Sequence, residues 1–205
     1  MKNILFLKCS PHGDASLGTH LAQDIIGQML GGHPNANVVS RDLGASPLPA
    51  LTGEYAMAVT NAKHYSESHA LSVSEELITE LERCDFLLIS TPMHNFSVPV
   101  SLKTWLDYVL RIGRTFKRTP EGKVGLLQDR PTLVLVRSGS PCSGDLARQP
   151  DFLTPYLRHT LACLGIATFD FHYLPGLMPS SDEVIAFRQS IVASPVLSNF
   201  TAIPT

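Results

Sequence analysis

Short apolar runs alternate with longer amphipathic stretches along most of the chain, as in proteins where strands and helices follow one another. The apolar runs are continuous, which is typical of parallel strands buried on both faces. We predict five strands, at residues 4–8, 37–41, 86–90, 132–137 and 168–173. We predict five helices, at residues 17–30, 73–83, 100–110, 154–164 and 182–193, where apolar residues recur three and four positions apart.

Residues that end or begin helices support several of these boundaries. Gly31 and Gly32 are expected to end the first helix, and Gly165 the fourth, because glycine readily adopts the left-handed conformation that closes helices. Ser181 is expected to cap the start of the last helix.

The alternation predicts one doubly wound α/β domain over residues 1–195. Its five-stranded parallel sheet is expected in the order 2-1-3-4-5, with helices on both faces. Residues 42–66 break the rhythm with Pro47, Pro49 and Gly53, so we expect an irregular excursion near a binding face. Residues 196–205 are expected to form a short C-terminal tail, either mobile or lying on a neighbouring subunit.

Composition narrows the class of partner. The chain has 205 residues, of which 44% are hydrophobic, enough to bury a full core. Its net charge of −2 leaves no electrostatic footprint for nucleic acid, so small molecules or proteins are the expected partners. Only four apolar residues stand together near the start, too few for a signal or spanning segment, so a cytoplasmic location without membrane contact is expected.

The four cysteines show no CxxC spacing and lie in or beside apolar elements, which favours reduced structural thiols over disulfides or a metal site. They are Cys9, Cys84, Cys142 and Cys163.

The loop at residues 9–19, after the first strand, contains glycines and hydroxyl residues that invite comparison with phosphate-binding motifs. Gly13 and Gly18 have Walker A spacing, but Thr19 stands where that motif needs lysine. The dinucleotide fingerprint fails as well, because Pro11 and Ser16 occupy glycine positions. Neither a nucleoside-triphosphatase nor a dinucleotide-binding turn is therefore indicated.

A cysteine phosphatase would use Cys9 as nucleophile, with an arginine six positions later, and that position is Ala15. Without the arginine nothing clamps a phosphoryl transition state. What remains is a cradle without a cation, suited to a monophosphate. Its hydroxyls and helix-start amides belong to Ser10, Ser16, Thr19, Leu17 and Gly18. The alternative is that Ser16 merely caps the helix.

The third strand runs into a polar loop bracketed by Pro92 and Pro99. The prolines restrict the backbone, so the amides of residues 93–96 are expected to form a fixed array suited to the polar edge of a heteroaromatic ring. These residues are Met93, His94, Asn95 and Phe96. Because this loop and the cradle follow adjacent strands, together they describe a phosphate-tailed ring, flavin mononucleotide (FMN).

Small residues after the fourth strand provide a candidate third piece of the site. Ser138, Gly139 and Ser140 allow the backbone to approach a ligand edge, although an ordinary turn explains them equally well.

Several motifs, in order and spacing, resemble the FMN-dependent NADH:quinone oxidoreductases and azoreductases, which have a flavodoxin-like fold. The resemblance covers nearly the whole chain. The motifs are ILFLKCS at 4–10, RDL at 41–43, ASPLP at 45–49, PMHNF at 92–96, LK at 102–103, Asp107, GRTF at 113–116, TPYL at 154–157 and LGI at 164–166.

The resemblance implies a tight, non-covalent FMN site. Ser10 and residues 16–18 would hold the phosphate, residues 93–96 would line the isoalloxazine, and the segment around Ser138 and Gly139 would meet its far edge. It also implies a homodimer with active sites at the subunit interface.

The implied activity is a two-electron, ping-pong hydride transfer in which the flavin carries the chemistry. NADH or NADPH would be the donor, and quinones, azo compounds or nitroaromatics the acceptors. No side chain is required as a nucleophile. Two alternatives stay open: a non-enzymatic, flavodoxin-like electron carrier, disfavoured by the nearly neutral composition, and a degenerate binding module without catalysis.

The chain departs from the family pattern at several positions. His94 replaces a usual tyrosine and would either donate a proton to the acceptor or simply pack on the ring. Leu17 and Gly18 replace polar residues and remove side-chain donors. The usual Ser-Arg-Gly-Gly after strand four reads Arg137-Ser138-Gly139-Ser140, which displaces the arginine by one position.

Cys9 has no adjacent base or arginine, so we interpret it as a core thiol. Phe116 and Phe171, with Phe169, are candidate walls of an apolar acceptor site, either within one chain or across the dimer. Each of the three is alternatively a core residue.

Overall fold

The computed structural model describes residues 2–60 and 69–201. Its strands are β1 Asn3–Lys8, β2 Asn37–Asp42, β3 Phe86–Pro92, β4 Phe116–Thr119, β5 Gly122–Gly125, β6 Thr132–Ser138 and β7 Phe169–Pro175. Its α-helices are α1 Leu17–Gly32, α2 Gly53–Thr60, α3 Ser72–Arg83, α4 Val100–Val109, α5 Leu153–Leu164, α6 Ser181–Val192 and α7 Pro195–Thr201. Short 3₁₀ turns occupy Gly13–Ala15 and His69–Leu71.

Five parallel strands form the main sheet in the order β2-β1-β3-β6-β7. Counting only these strands, this is the expected order 2-1-3-4-5. The remaining strands, β4 and β5, form a separate antiparallel hairpin that the sequence did not predict. Each has only four residues, and all of their side chains except that of Phe116 are exposed or half-exposed, so no apolar periodicity marks them.

Side chains that alternate along the central strands build two hydrophobic cores, one on each face of the sheet. Leu87 and Ile89 of β3 belong to the core under α2, α3, α4 and α5. Phe86 and Leu88 belong to the core under α1, α6 and α7. Because β3 is buried on both faces, its sequence is a continuous apolar run.

Part of the segment expected to be irregular is helical. Within residues 42–66, α2 forms at Gly53–Thr60 and buries Tyr55 and Ala58. The hydroxyl of Tyr55 donates to the carbonyl of Asp107 at 3.3 Å, which ties α2 to α4. Tertiary packing therefore stabilises a helix where the prolines upstream had led us to predict irregular structure. Residues 61–66 lie outside the described residues.

The expected C-terminal tail also forms a helix on this chain. In α7, Val196, Leu197 and Phe200 are buried in the core on the α1 face. The ring of Phe200 meets that of Phe86 edge to face, with centroids 4.9 Å apart. The prediction of a mobile or exchanged tail is therefore wrong for residues 196–201, and residues 202–205 lie outside the described part.

Two predicted helix boundaries are corrected. Helix α1 continues through Gly31 and Gly32 and ends at His33. Helix α6 is capped by Ser180, not Ser181, in a reciprocal capping box with Glu183. Gly165 ends α5 in the left-handed conformation, as expected.

All four cysteines are free and buried. Burial raises the pKa of the Cys9 thiol and raises that of Cys84 to about 12. Cys9 is fully buried, which confirms its interpretation as a core thiol. In the described ranges, no helix combines the length and the apolar content needed to cross a membrane.

Candidate functional site

The loops after β1, β3, β6 and β7 meet at the carboxyl edge of the sheet and enclose a cleft of about 480 Å³. This is the position where open parallel sheets bind ligands. The lining residues are Ser10, His12, Ala15, Ser16, Leu17, Pro92, Met93, His94, Arg137, Ser138, Gly139, Gly176 and Leu177.

The loop after β1 presents hydroxyls at the amino end of α1. A 3₁₀ turn begins at Gly13, whose φ of 53° suits glycine, and the loop closes through a hydrogen bond from its amide to the carbonyl of Ser10. Ser16 occupies the N-cap position of α1, yet its side chain makes no capping hydrogen bond. The structure therefore does not show the capping alternative, and Ser16 lines the cleft instead.

Gly18 and Thr19 lie directly behind this lining. A Cβ atom on Gly18 would lie 3.0 Å from Cγ of Arg137 and 3.2 Å from Oγ of Ser90, so a larger side chain would fit only if one of these side chains shifted. Oγ1 of Thr19 is buried and has no hydrogen-bond partner within the described ranges. Buried hydroxyls normally have one, so Thr19 has an unused donor in the first turn of α1, although it does not line the cleft.

The loop after β3 is a tight two-residue turn. The amide of His94 donates to the carbonyl of Ser97 at 2.9 Å, and that of Ser97 returns to His94 at 3.0 Å. Asn95 and Phe96 between them have φ values of 47° and 72°. Left-handed backbone is costly for a bulky residue such as phenylalanine and often occurs at functional sites.

The expected array of four free amides is only half present. The amide of Met93 donates to the carbonyl of Arg137 at 2.7 Å, and that of His94 is used within the turn. Pairing with β6 therefore uses the Met93 amide, and closure of the turn uses that of His94. The amides of Asn95 and Phe96 are the ones that make no backbone hydrogen bond in the described part of the chain.

The segment after β6 braces the turn from the side. Nε2 of Gln149 donates to the carbonyl of Ser140 at 2.9 Å and contacts Sδ of Met93 at 3.6 Å. The amide of Phe152 donates to the carbonyl of Phe96 at 3.0 Å. These contacts hold the left-handed residues in place before any ligand binds.

The sequence left open whether Ser138 and Gly139 form an ordinary turn or let the backbone approach a ligand, and the two residues differ in this respect. The hydroxyl of Ser138 donates to the carbonyl of Ser140 at 2.8 Å, so it shapes the turn. Gly139 is exposed in the cleft, and the nearest atom to a Cβ placed there would be Cδ2 of Leu177, 3.9 Å away. The backbone of Gly139 is therefore open to a ligand edge.

The structure brings seven predicted binding residues into the lining of one cleft. They are Ser10, Ser16, Leu17, Met93, His94, Ser138 and Gly139. Gly18, Asn95 and Phe96 adjoin the cleft but do not line it. Sequence reasoning predicted no role for Gly176 and Leu177 and left that of Arg137 open. The available signal was that Gly176 and Leu177 follow the strand next to β6.

The predicted acceptor-site residues lie elsewhere in this chain. Phe116 and Phe171 are only 7% and 8% exposed, and neither lines the cleft. Phe171 packs between Phe169 and Tyr173, and Arg158 lies over its ring. Apolar residue type alone does not distinguish a core position from a cleft wall. Within this chain Phe116 and Phe171 occupy core positions, the alternative that the sequence left open.

A larger cavity, of about 610 Å³, lies at the opposite edge of the sheet, among β1, β2 and α3. It exceeds the cleft in volume, but it lies at the amino ends of the strands, where parallel sheets do not place their ligand sites. A cavity of about 310 Å³ adjoins the cleft on the other side of His94 and is lined mainly by apolar residues such as Leu43 and Leu48. His94 therefore separates two neighbouring spaces.

Comparison with known proteins identifies relatives over the full length of the fold. A family model described as a flavodoxin-like fold matches residues 2–193. FMN-dependent NADH:quinone oxidoreductase 5 of Burkholderia lata is 54% identical over 198 residues, covering 97% of each chain. FMN-dependent NADH:quinone oxidoreductase 4 of Pseudomonas fluorescens is 52% identical over 186 residues, covering 91% of this chain and 90% of the relative.

Solved structures agree in architecture. An azoreductase of Bacillus anthracis superposes with a TM-score of 0.79 at 23% identity, over 98% of this chain and 97% of that one. An FMN-dependent NADH-azoreductase of the same species, in complex with FMN, superposes with a TM-score of 0.80 at 19% identity, over 98% of both chains. At these identities the structures establish the fold alone.

The parallel sheet in this order, with a hydroxyl-lined loop at the start of α1, defines a flavodoxin-like protein. Within that class, the chain belongs to the family of FMN-dependent NADH:quinone oxidoreductases, as its 54% and 52% identities to curated members show. The family expected from the sequence motifs is confirmed.

Proposed function

We propose that this protein is an FMN-dependent NAD(P)H oxidoreductase that reduces quinones and azo compounds in the cytoplasm. The observation that carries the proposal is the single cleft that joins the hydroxyl cradle, the turn after β3 and the small residues after β6. The names of the relatives at 54% and 52% identity agree with this activity.

The residues of the cleft fit FMN chemically. Ser10, Ser16 and the helix-start amides offer neutral donors for a phosphate, and the buried, unpartnered Oγ1 of Thr19 lies in the same turn. Met93 and the backbone at Gly139 would contact the ring. When bound, FMN supplies the redox chemistry by accepting a hydride from NADH or NADPH and passing two electrons to the acceptor.

The side chains of this chain then have binding and orienting roles. The braced turn at residues 94–97 fixes the amides of Asn95 and Phe96, which would stabilise negative charge on the polar edge of the ring. Because these groups are held before the ligand binds, little reorganisation is needed during the reaction. No nucleophilic side chain is required.

His94 is exposed beside the cleft, where it could either protonate the acceptor or pack on the ring. The variant His94→Phe retains an aromatic plane and removes the titratable group. A proton donor predicts that the pH profile of kcat changes shape in this variant. An unchanged profile would leave only the packing role.

Exposed apolar residues in the loops after β6 and β7 support a homodimer that completes the acceptor site. Leu177 and Met178 are 86% and 94% exposed, and Leu146 is 78% exposed. Clusters of exposed apolar side chains often mark interfaces. Phe116 and Phe171 remain predicted walls only if a second subunit contributes to the site. Sedimentation of the purified protein would test the dimer, and a monomer at micromolar concentration would contradict it.

The first experiment is the visible spectrum of the purified protein after incubation with FMN. NADH is then added anaerobically, followed by a quinone. Retained yellow colour that bleaches with NADH and returns with quinone is the expected result. Colour that bleaches only with dithionite would favour the electron-carrier alternative, and a colourless protein would favour the degenerate binding module.

A further inference from the structure

We propose that Arg137 is the cation of the phosphate-binding half of the cleft and supplies the FMN phosphate with its counter-charge. The inference rests on the proposed function and adds to it a charged group that the loop after β1 lacks. It replaces the sequence interpretation of a cradle without a cation.

The first argument is position. Arg137 lies at the carboxyl end of β6, and its side chain passes the amino end of α1. A Cβ atom placed on Gly18 would lie 3.0 Å from Cγ of Arg137 and 3.7 Å from Oγ of Ser16, so these two side chains lie close together. Arg137 and Ser16 also line the same cleft. The absence of a side chain at Gly18 is therefore what gives the arginine its path along the cradle.

The second argument is orientation. The guanidinium of Arg137 donates to the carbonyl of Leu174 at 2.6 Å and to that of Gly176 at 2.8 Å. These two bonds fix the plane of the group and use two of its five donors. The other three make no hydrogen bond in the described part of the chain. An arginine anchored in this way loses little side-chain freedom when a phosphate binds.

The third argument is charge. The half-buried or buried Arg41, Arg111 and Arg114 each form ion pairs with glutamates. Buried Arg130 forms no ion pair in the described ranges, but its charge helps to lower the pKa of Glu82. No carboxylate within the described ranges pairs with Arg137, whose pKa is lowered by burial alone. A partly buried charge without a counter-ion is unfavourable, and an anionic ligand would relieve that cost.

The competing explanation is that Arg137 only ties β6 to the loop after β7. The two roles differ toward riboflavin, which has the same ring as FMN but no phosphate. A counter-charge favours FMN alone, whereas a structural tie supports both flavins equally. Arg130 is a matched control, because its guanidinium also donates to backbone carbonyls, those of Gln128 and Cys84, but at the amino end of β6.

The test is a fluorescence titration of the flavin-free, full-length chain with FMN and with riboflavin. Wild type, R137M, R137K and R130M are compared, each with its melting temperature. We expect R137M to lose roughly 10- to 100-fold in FMN affinity and less than about 3-fold in riboflavin affinity. The FMN affinity of R137K should lie between those of wild type and R137M, because lysine keeps the positive charge but lacks the planar, multiple-donor geometry of the guanidinium. R130M should melt earlier with both affinities unchanged.

Equal losses for both flavins in R137M and R137K would overturn the inference and leave the proposed function intact. If R137M does not fold, the salt dependence of flavin binding to the wild type is the deciding measurement. FMN affinity should fall as NaCl rises from about 50 to about 500 mM, because salt screens the attraction between the guanidinium and the phosphate. Riboflavin affinity should stay constant. Identical salt responses would overturn the inference. A wild type that binds neither flavin would overturn the proposed function as well.

Discussion

Strand β6 has one arginine just before its amino end and another at its carboxyl end, and their surroundings differ in kind. Arg130, at the amino end, is 5% exposed and donates to the carbonyls of Gln128 and Cys84. The pKa of Glu82 is lowered by a hydrogen bond from Arg114 and also by the charge of Arg130. Next to Arg130, Asp129 accepts hydrogen bonds from the amides of Ala167 and Thr168.

At the carboxyl end the polar groups are left partly unsatisfied. Arg137, like Arg130, donates to carbonyls and forms no ion pair in the described ranges, but burial is the only influence on its pKa, whereas the charge of Arg130 acts on Glu82. Thr19 has an unpartnered hydroxyl. Asn95 and Phe96 hold left-handed backbone. One end of the sheet has thus been optimised for stability, while the other keeps unused donors and strain that a ligand can exploit. The difference predicts which substitutions affect folding and which affect binding.

The largest effect on stability and binding is expected at two glycines that are in close contact with the backbone of another segment. A Cβ atom on Gly44 would lie 2.0 Å from the carbonyl oxygen of Ser10, and one on Gly125 would lie 2.1 Å from the amide nitrogen of Gly165. Both Gly44→Ala and Gly125→Ala should lower the melting temperature, by about 3 to 10 °C. Only Gly44→Ala should also displace Ser10 and weaken FMN binding, by roughly 100-fold.

Calorimetry and FMN titration of the two glycine variants measure both quantities on the same samples. Loss of FMN affinity in Gly125→Ala would show that the two ends of the sheet are not independent. Unchanged FMN affinity in Gly44→Ala would remove Ser10 from the site.

The next effect in size concerns the docking of α7 at the amino end. Phe200→Ala removes a ring that is 3% exposed and packs on Phe86, so it should cost about 3 kcal/mol of unfolding free energy. Urea unfolding measures this. FMN affinity, corrected for the folded fraction, should not change, and a large change would contradict the separation of the two ends.

A smaller and pH-dependent effect is expected at Asp129. Burial would raise the pKa of its carboxyl, but hydrogen bonds from Thr168, Ala167 and Arg130 outweigh burial and hold that pKa below its usual value. A lowered pKa in the folded state gives stability that is present above the unfolded pKa of about 4 and is lost as the pH falls through the folded value. Because Asp129 is exposed and solvent screens its charge, Asp129→Asn should cost only about 0.5 to 1 kcal/mol at pH 7.

Urea unfolding of Asp129→Asn between pH 2 and 7 checks the sign. The stability difference from wild type should shrink below about pH 4. A stability difference that grows as the pH falls would mean that another ionisable group, and not Asp129, determines the pH dependence of stability at the amino end of the sheet.

The smallest effects are expected from two serines at helix starts. Ser16→Ala should leave the melting temperature unchanged, because the Ser16 side chain makes no capping bond, while FMN affinity falls by roughly 5-fold. Ser180→Ala should cost about 1 kcal/mol, because Ser180 completes the capping box of α6. Its FMN affinity should stay constant. Equal destabilisation by both changes would reinstate Ser16 as a cap.

Sequence reasoning succeeded where burial on both faces imposes a pattern. Strands such as β3 have continuous apolar runs, and the known geometry of parallel sheets then brings the loops after β1 and β3 together. It failed for α2, α7 and the hairpin at 116–125, which are short and depend on tertiary packing. The role of Arg137 depends on a side-chain path past Gly18 that no linear pattern encodes.

The docking of α7 places the two ends of the described chain side by side. Nζ of Lys2 donates to the carbonyl of Phe200 and lies 4.3 Å from the centre of its ring, and His33 also contacts that carbonyl. Lys2 and Phe200 therefore lie together at the edge of the sheet opposite the cleft. A surface that held the molecule at this edge, for instance an electrode or a bead, would leave the cleft facing outward and free to exchange small molecules with the solution.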